Sequence, residues 1–94
     1  MAQIIWTEPA LSDLDEIAEY IALDKVSAAK NLVKKVFSSV ERLEYFPDSG
    51  RVPPELENSI YQEIIVNPFR IFFRCNQNKV FILYVSKNSE KQFK

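Results

Sequence analysis

The 94-residue chain contains no histidine, one cysteine (Cys75) and one glycine (Gly50). Without histidine, no imidazole can shuttle protons, and zinc sites built on histidine ligands are excluded. A lone cysteine cannot close an internal disulfide, which suits a reducing compartment, so we expect a cytoplasmic protein. One glycine cannot form a glycine-rich phosphate loop. No apolar run approaches the roughly 20 residues of a membrane helix, so no membrane contact is expected.

The chain also lacks an excess of either charge, since its formal net charge is -1. Proteins that bind nucleic acid through its phosphates usually carry a basic excess, so the balance argues against simple polyanion binding. The acidic side chains early in the chain are Asp13, Asp15, Glu16 and Glu19. At helical spacing they predict a dispersed, solvated helix face and not a metal site, so neither metal nor cofactor is expected. Cys75 is predicted to be a small buried side chain without a catalytic role.

Apolar residues make up 47% of the chain, enough for one core, so residues 1–94 are expected to form a single domain. A β-branched and aromatic segment predicts a strand over Ala2–Thr7. Thr7 or Glu8 can then cap an amphipathic helix over Pro9–Leu23. A second amphipathic helix is predicted from a cap at Asp24 to about residue 45, where Phe46-Pro47-Asp48-Ser49-Gly50 ends it.

The hydrophobic period then changes from helical to alternating, which predicts three strands at Ile60–Val66, Phe69–Cys75 and Val80–Val85. Asn76-Gln77-Asn78 is predicted to be a hairpin loop in which Asn takes positive φ. Residues 87–94 are expected to form a polar, flexible tail. The order β-α-α-β-β-β predicts an α+β domain with an antiparallel sheet packed against an antiparallel helical hairpin. The first strand should join an edge of this sheet, with its partner left open.

Basic side chains cluster on the predicted strands. Arg70 and Arg74 lie four residues apart with Phe72 between them, so all three should share one sheet face. Arg51, after the turn, is expected to approach the same side. Such a basic, partly aromatic surface fits RNA phosphate or an acidic protein patch. The alternative is a solvated face on which arginine stems cover apolar surface.

The order and spacing of several motifs resemble the ParE/RelE superfamily of bacterial toxins from type II toxin–antitoxin systems. The matching segments are Trp6-Thr7, Ala10-Leu11-x-Asp13-Leu14-x-x-Ile17-Ala18-x-Tyr20-Ile21, Ala28-Ala29, Leu43-x-x-Phe46-Pro47-x-x-Gly50-Arg51, residues 64–74 and residues 80–85. Together they cover roughly residues 4–85. The long helical hairpin is more similar to ParE than to the compact RelE ribonucleases.

The resemblance implies a toxin that a cognate antitoxin neutralises. The ParE branch acts on DNA gyrase, and our leading interpretation is inhibition of gyrase by protein–protein contact without catalytic residues. Contacts to an acidic partner patch would then come from Arg51, Arg70, Phe72, Arg74 and Lys87. An antitoxin segment is expected to add a strand to the sheet or to lay a helix in a helical groove.

The chain departs from the family pattern where Gln62 replaces an arginine, Phe73 replaces an aromatic hydroxyl and Lys87 replaces a histidine. Gln62 cannot neutralise phosphate and Phe73 cannot donate a proton, which weakens a ribonuclease function. Two alternatives stay open. One is a RelE-like, ribosome-dependent mRNA interferase, whose message-contacting residues would be Arg51, Arg70, Tyr84 and Lys87. The other is a non-toxic remnant of the toxin fold that binds antitoxin.

Overall fold

The computed structural model describes residues 1–56 and 60–87 and confirms the predicted order of elements. These are β1 (Gln3–Trp6), α1 (Glu8–Ala22), α2 (Val26–Glu41), a 3₁₀ turn (Arg42–Glu44), a second 3₁₀ turn (Pro54–Leu56), β2 (Tyr61–Val66), β3 (Phe69–Asn76) and β4 (Lys79–Lys87). The predicted α+β class is confirmed. Within the described ranges, no helix is both long and apolar enough to cross a bilayer.

The sheet has the strand order β1-β4-β3-β2. Strands β2, β3 and β4 form the predicted antiparallel meander, whereas β1 pairs in parallel with β4 and makes the sheet mixed. Gln77 and Asn78 connect β3 to β4 with φ values of 50° and 64°. Positive φ at both central residues is the geometry of a tight hairpin turn, so the expectation for this loop is confirmed at Asn78.

Thr7 begins α1 and also ties it to the sheet. Its side-chain oxygen accepts a hydrogen bond from the Ala10 N–H (3.4 Å), as predicted for the helix cap. The same hydroxyl donates to the carbonyl of Ile82 in β4, at 2.7 Å. One side chain therefore fixes both the start of the helix and its position on the central strands.

The predicted cap of α2 at Asp24 is wrong. Lys25 occupies the cap position, and its side chain makes no capping hydrogen bond. The Asp24 and Lys25 N–H groups donate to the carbonyl of Ile21, because the chain closes the last turn of α1 before it reverses. The second helix therefore starts at Val26, and its end tightens into the 3₁₀ turn after Glu41.

The core lies between the helical hairpin and one face of the sheet. Its fully buried side chains include Val36, Val40, Leu43, Ile71, Phe73, Val80 and Ile82. Phe69, Ile71 and Phe73 alternate along β3 and all pack into the core. The pairing of β3 with β4 skips Leu83, because Phe72 lies opposite Tyr84 and Phe73 opposite Ile82. This bulge lets both Ile82 and Val85 face the core.

Asp13 joins α1 to β4 and does not lie on a solvated helix face as predicted. Its Oδ2 accepts a hydrogen bond from the backbone N–H of Val85 at 3.0 Å. The paired part of β1 ends at Trp6, opposite Ile82, so β4 continues beyond its parallel neighbour. Beyond that end, the Asp13 carboxylate of α1 takes the place of a neighbouring strand as the acceptor for the backbone N–H of Val85.

Candidate partner-binding surface

The face of the sheet turned away from the helices, here the outer face, carries most of the residues that the sequence singled out. Cross-strand register places Glu63 opposite Phe72 and Tyr61 opposite Arg74. Side chains directly opposite each other share a face, so Arg70, Phe72 and Arg74 lie together as predicted. The larger side chains of the outer face include Tyr61, Glu63, Ile65, Arg70, Phe72, Arg74, Phe81 and Tyr84.

Four charged side chains form an arginine–glutamate cluster at one end of the outer face: Arg51, Glu55, Glu63 and Arg70. Arg70 donates from Nε to Glu63 Oε1 at 2.6 Å. Its Nη1 and Nη2 donate to the two oxygens of Glu55, at 3.0 and 2.9 Å. The Nε of Arg51 donates to the second oxygen of Glu63 at 2.6 Å. The two guanidinium groups therefore share one carboxylate, and a second carboxylate caps Arg70.

Burial differs sharply across this cluster. The side chain of Glu63 is 0% exposed and that of Arg70 is 5% exposed, against 60% for Arg51 and 32% for Glu55. The hydrogen bond to Glu55 raises the pKa of Arg70, with a further contribution from Glu63, although burial opposes the shift. The hydrogen bond from Arg70 lowers the pKa of Glu55. Both groups are therefore held in their charged forms.

Arg70 and Phe72 are thus buried, and the expectation that they lie on an exposed basic surface is wrong. Phe72 is only 7% exposed, and the guanidinium carbon of Arg70 lies 4.9 Å from the centre of its ring. The carboxylates of Glu55 and Glu63 take up the guanidinium group of Arg70 within the protein. Strand alternation assigns a side chain to a face, but it does not say what covers that face.

Arg51 reaches the cluster because it extends the sheet by one residue, which confirms the expected approach of Arg51 to Arg70. Its N–H and carbonyl pair with the carbonyl and N–H of Glu63, at 3.0 and 2.8 Å. Gly50 makes this pairing possible, since a Cβ there would lie 2.5 Å from Cζ of Phe73. The glycine is needed for lack of space and not for a positive φ.

The remaining predicted residues do not all join the cluster. Arg74 is half-buried and lies opposite Phe81, and Tyr84 is 55% exposed. Lys87 belongs to β4 and not to the predicted tail, and it lies opposite the core residue Phe69. It therefore lies on the helix side of the sheet, away from Arg74. The rest of the predicted tail, residues 88–94, falls outside the described residues.

The positions that depart from the ribonuclease pattern lie on the helix side. The amide of Gln62 is directed at Sγ of Cys75 (4.0 Å), and Phe73 is fully buried. Cys75 is half-buried and its Sγ lies 3.4 Å from the carbonyl of Pro47. Burial raises the pKa of this thiol. In the part of the chain that the structure describes, no three His, Cys, Asp or Glu side chains are placed to hold a metal ion.

Two of the open grooves in the described part of the chain flank the helices and have mostly apolar linings. One, of about 710 Å³, lies between the end of α1 and the first half of α2, and is lined by Ala18, Ala22, Val26, Ala29, Val33, Lys30 and Lys34 among others. The other, of about 550 Å³, lies between α1 and the ends of β3 and β4, and includes Ile17, Tyr20, Phe69 and Lys87. The first, here the helical groove, combines a mostly apolar lining with the charged residues Glu19, Lys30 and Lys34.

Sequence reasoning missed Glu55 and Glu63, which determine the electrostatics of the site. A signal for Glu63 exists, since a short turn joins β2 to β3 and fixes which residues become diagonal neighbours across the two strands. Ile65 lies opposite Arg70, which places Glu63 diagonally beside the arginine. Glu55 has no such signal, because it lies in a short 3₁₀ turn outside the sheet, whose position depends on tertiary packing.

Comparisons with known proteins place the sequence among bacterial toxins. A family model described as "ParE toxin of type II toxin-antitoxin system, parDE" matches residues 4–92. The chain is 32% identical over 68 residues to Toxin RelE2 of Caulobacter vibrioides, covering 72% of this chain and 73% of that protein.

Solved structures extend the likeness to nearly the whole fold. A chain of the chromosomal ParDE toxin–antitoxin system from P. aeruginosa superposes with a TM-score of 0.77 at 26% identity, covering 93% of this chain and 96% of that one. The RelBE2 toxin–antitoxin complex from Mycobacterium tuberculosis shares the fold, with a TM-score of 0.61 at 19% identity over 92% of this chain and 96% of that one. The chain therefore belongs to the ParE toxin family of type II toxin–antitoxin systems.

Proposed function

We propose that this toxin inhibits DNA gyrase by protein–protein contact, and that a cognate antitoxin neutralises it. The observation that carries the proposal is the state of Arg70. Cleavage of RNA needs cations for the phosphate charge, together with a base and an acid. Arg70 is buried and already binds two carboxylates, so its charge is committed within the protein.

The positions of nearby side chains also argue against RNA cleavage. Gln62 and Phe73 point to the helix side of the sheet, where neither can reach a substrate on the outer face. Tyr84 and Lys87 lie on opposite faces of β4 and do not converge. Among the described residues, the side chains expected to contact RNA are thus divided between the two faces of the sheet, which argues against the mRNA interferase alternative. Arg51 and Arg74 on the outer face, and Lys87 on the helix side, are retained as separate proposed charged contacts to an acidic partner.

The helical groove is the proposed seat of an antitoxin segment. Ala22, Val26 and Ala29 give it an apolar lining, and its charged lining residues are two lysines, Lys30 and Lys34, and one glutamate, Glu19. An amphipathic helix with an apolar stripe and acidic residues beside it would complement both features. Small side chains in the groove allow a partner helix to approach closely. The complex of RelBE2 from Mycobacterium tuberculosis is a fold relative seen with its antitoxin, which supports such a partner here.

The proposal is tested by DNA supercoiling with purified gyrase, with and without the toxin. We expect loss of supercoiling or accumulation of cleaved DNA. A cell-free translation reaction with the same toxin preparation is the matched control, and we expect it to proceed normally. Unchanged supercoiling with folded toxin would reject gyrase as the direct target. Blocked translation would instead support the interferase alternative, and harmless expression without antitoxin would support the non-toxic remnant.

A further inference from the structure

The helical groove has an acidic side and a basic side. Glu19 lies on the α1 side, and Lys30 and Lys34 lie on the α2 side. Asp15 is one helical turn before Glu19, so these two carboxylates share a stripe of α1, as the two lysines share a stripe of α2. All four side chains are exposed. We call Asp15 and Glu19 the acidic bank, and Lys30 and Lys34 the basic bank.

The charges of both banks are available to a partner. Among residues 1–56 and 60–87, none of the four side chains forms an ion pair, although Glu19 and Lys30 line the same groove. Apolar surface is available beside them, since Leu23 is 85% exposed and Val26 is 56% exposed where the two helices meet. Apolar surface with a polar rim is typical of a protein interaction site.

The two banks also lie at matching heights along the hairpin. Glu19 lies three residues before the last residue of α1, and Lys30 lies four residues after the first residue of α2. Asp15 and Lys34 each follow one turn farther from the connection. Because the helices run antiparallel with a rise of 1.5 Å per residue, the two members of each pair differ in height by only about 1.5 Å.

We propose that in the free toxin a second copy of this chain covers the helical groove, related to the first by a two-fold axis parallel to the helices. This axis places the acidic bank of each copy over the basic bank of the other at the same height. Glu19 then pairs with Lys30, and Asp15 with Lys34, twice each. A two-fold axis across the helices would set carboxylate against carboxylate, so the charges select one arrangement.

The lining of the groove suits this arrangement. Ala18, Ala22 and Ala29 have small side chains, which let the two hairpins approach closely. The antitoxin segment proposed above would occupy the same groove, so antitoxin and second copy would exclude each other. Binding of antitoxin would therefore separate the dimer. The inference concerns the free toxin and does not depend on gyrase as the target.

Analytical ultracentrifugation of the purified toxin without antitoxin tests the dimer. We expect a monomer–dimer equilibrium in the micromolar range that weakens with added salt. Glu19→Lys alone, or Lys30→Glu alone, sets like charges against each other and should raise the dimer Kd roughly tenfold or more. Mixed in equal amounts, these two variants should associate with nearly the wild-type Kd, because each contact between them again joins opposite charges.

Glu41→Lys is the matched control, since it makes the same change of charge at an exposed position at the other end of α2. It should change the dimer Kd by less than about twofold. Circular dichroism verifies that each variant is folded. A toxin that stays monomeric, an equal loss in Glu41→Lys, or a mixture no tighter than its separate variants would each overturn the proposal. Antitoxin and gyrase are absent from these measurements, so their own tests remain separate.

Discussion

Glu63 and Arg70 form a buried ion pair in which Arg70 Nε lies 2.6 Å from Glu63 Oε1. Neither side chain can be replaced singly without leaving a charge in the protein interior. We expect Glu63→Gln to lower the free energy of unfolding by about 3 kcal/mol, since removing one partner strands the other. Urea denaturation followed by circular dichroism measures this change.

Arg51→Gln is the control for Glu63→Gln. Arg51 contacts the same carboxylate, but its side chain is 60% exposed and water can replace the lost contact. We expect a cost of about 1 kcal/mol or less. Equal losses in the two variants would show that burial does not set the strength of this cluster.

Gly50 has no room for a side chain, because a Cβ there would lie 2.5 Å from Cζ of Phe73. We expect Gly50→Ala to destabilise by about 1–3 kcal/mol, because the new methyl group meets a ring that is fully buried. Phe73→Leu removes that ring and should relieve the clash. The double variant should therefore lose less stability than the sum of the single variants, which a double-mutant cycle measures. Additive losses would contradict a steric origin.

Asp13 is expected to stabilise the junction of α1 with β4. Asp13→Ala leaves the N–H of Val85 without its carboxylate acceptor, and Val85 is only 4% exposed. We expect a loss of about 1.5 kcal/mol in chemical denaturation. Asp15→Ala, at an exposed position of the same helix, should change stability by less than about 0.5 kcal/mol. A comparable loss at Asp15 would assign the effect to helix charge instead.

Lowering the pH should weaken the ion pair between Glu55 and Arg70. The pKa of Glu55 is lowered from its ordinary value of 4.5, chiefly by the hydrogen bond from Arg70. A group whose folded-state pKa is depressed stabilises the fold above its unfolded pKa, and this contribution is lost as the pH falls through the folded value. The stability advantage of the wild type over Glu55→Gln should therefore shrink below about pH 4.5. Unfolding curves measured across that range test this, and a constant difference would contradict it.

The sequence predicted those parts of the molecule that depend on local pattern. The cap at Thr7 and the alternation of Ile71 and Phe73 follow from short-range rules of side-chain chemistry and spacing. The hairpin loop between β3 and β4 has the predicted positive φ at Asn78, a conformation that asparagine tolerates. Such features are decided within a few residues, so tertiary packing does not override them.

The site itself depends on contacts between segments distant in sequence. Arg70 is buried because Glu55, fifteen positions earlier, folds over it. Asp13 has the pattern of a solvated residue, yet it binds Val85, seventy-two positions away. Charged residues on an alternating pattern are usually exposed, and only tertiary partners reveal the exceptions. The two carboxylates that neutralise Arg70 could therefore not be assigned from periodicity.

Charge reversal at Arg74 tests the proposed partner contact on the outer face. Arg74 lies between Tyr61 and Phe81 on a half-buried part of that face, so a glutamate there would oppose an acidic partner. We expect Arg74→Glu to raise the toxin concentration needed for half-inhibition of supercoiling roughly tenfold or more. Arg42→Glu makes the same change of charge at an exposed position after α2 and should leave inhibition near the wild-type level. If both variants lose inhibition equally, net charge and not the outer face governs binding. If neither does, the gyrase contact lies elsewhere on the toxin.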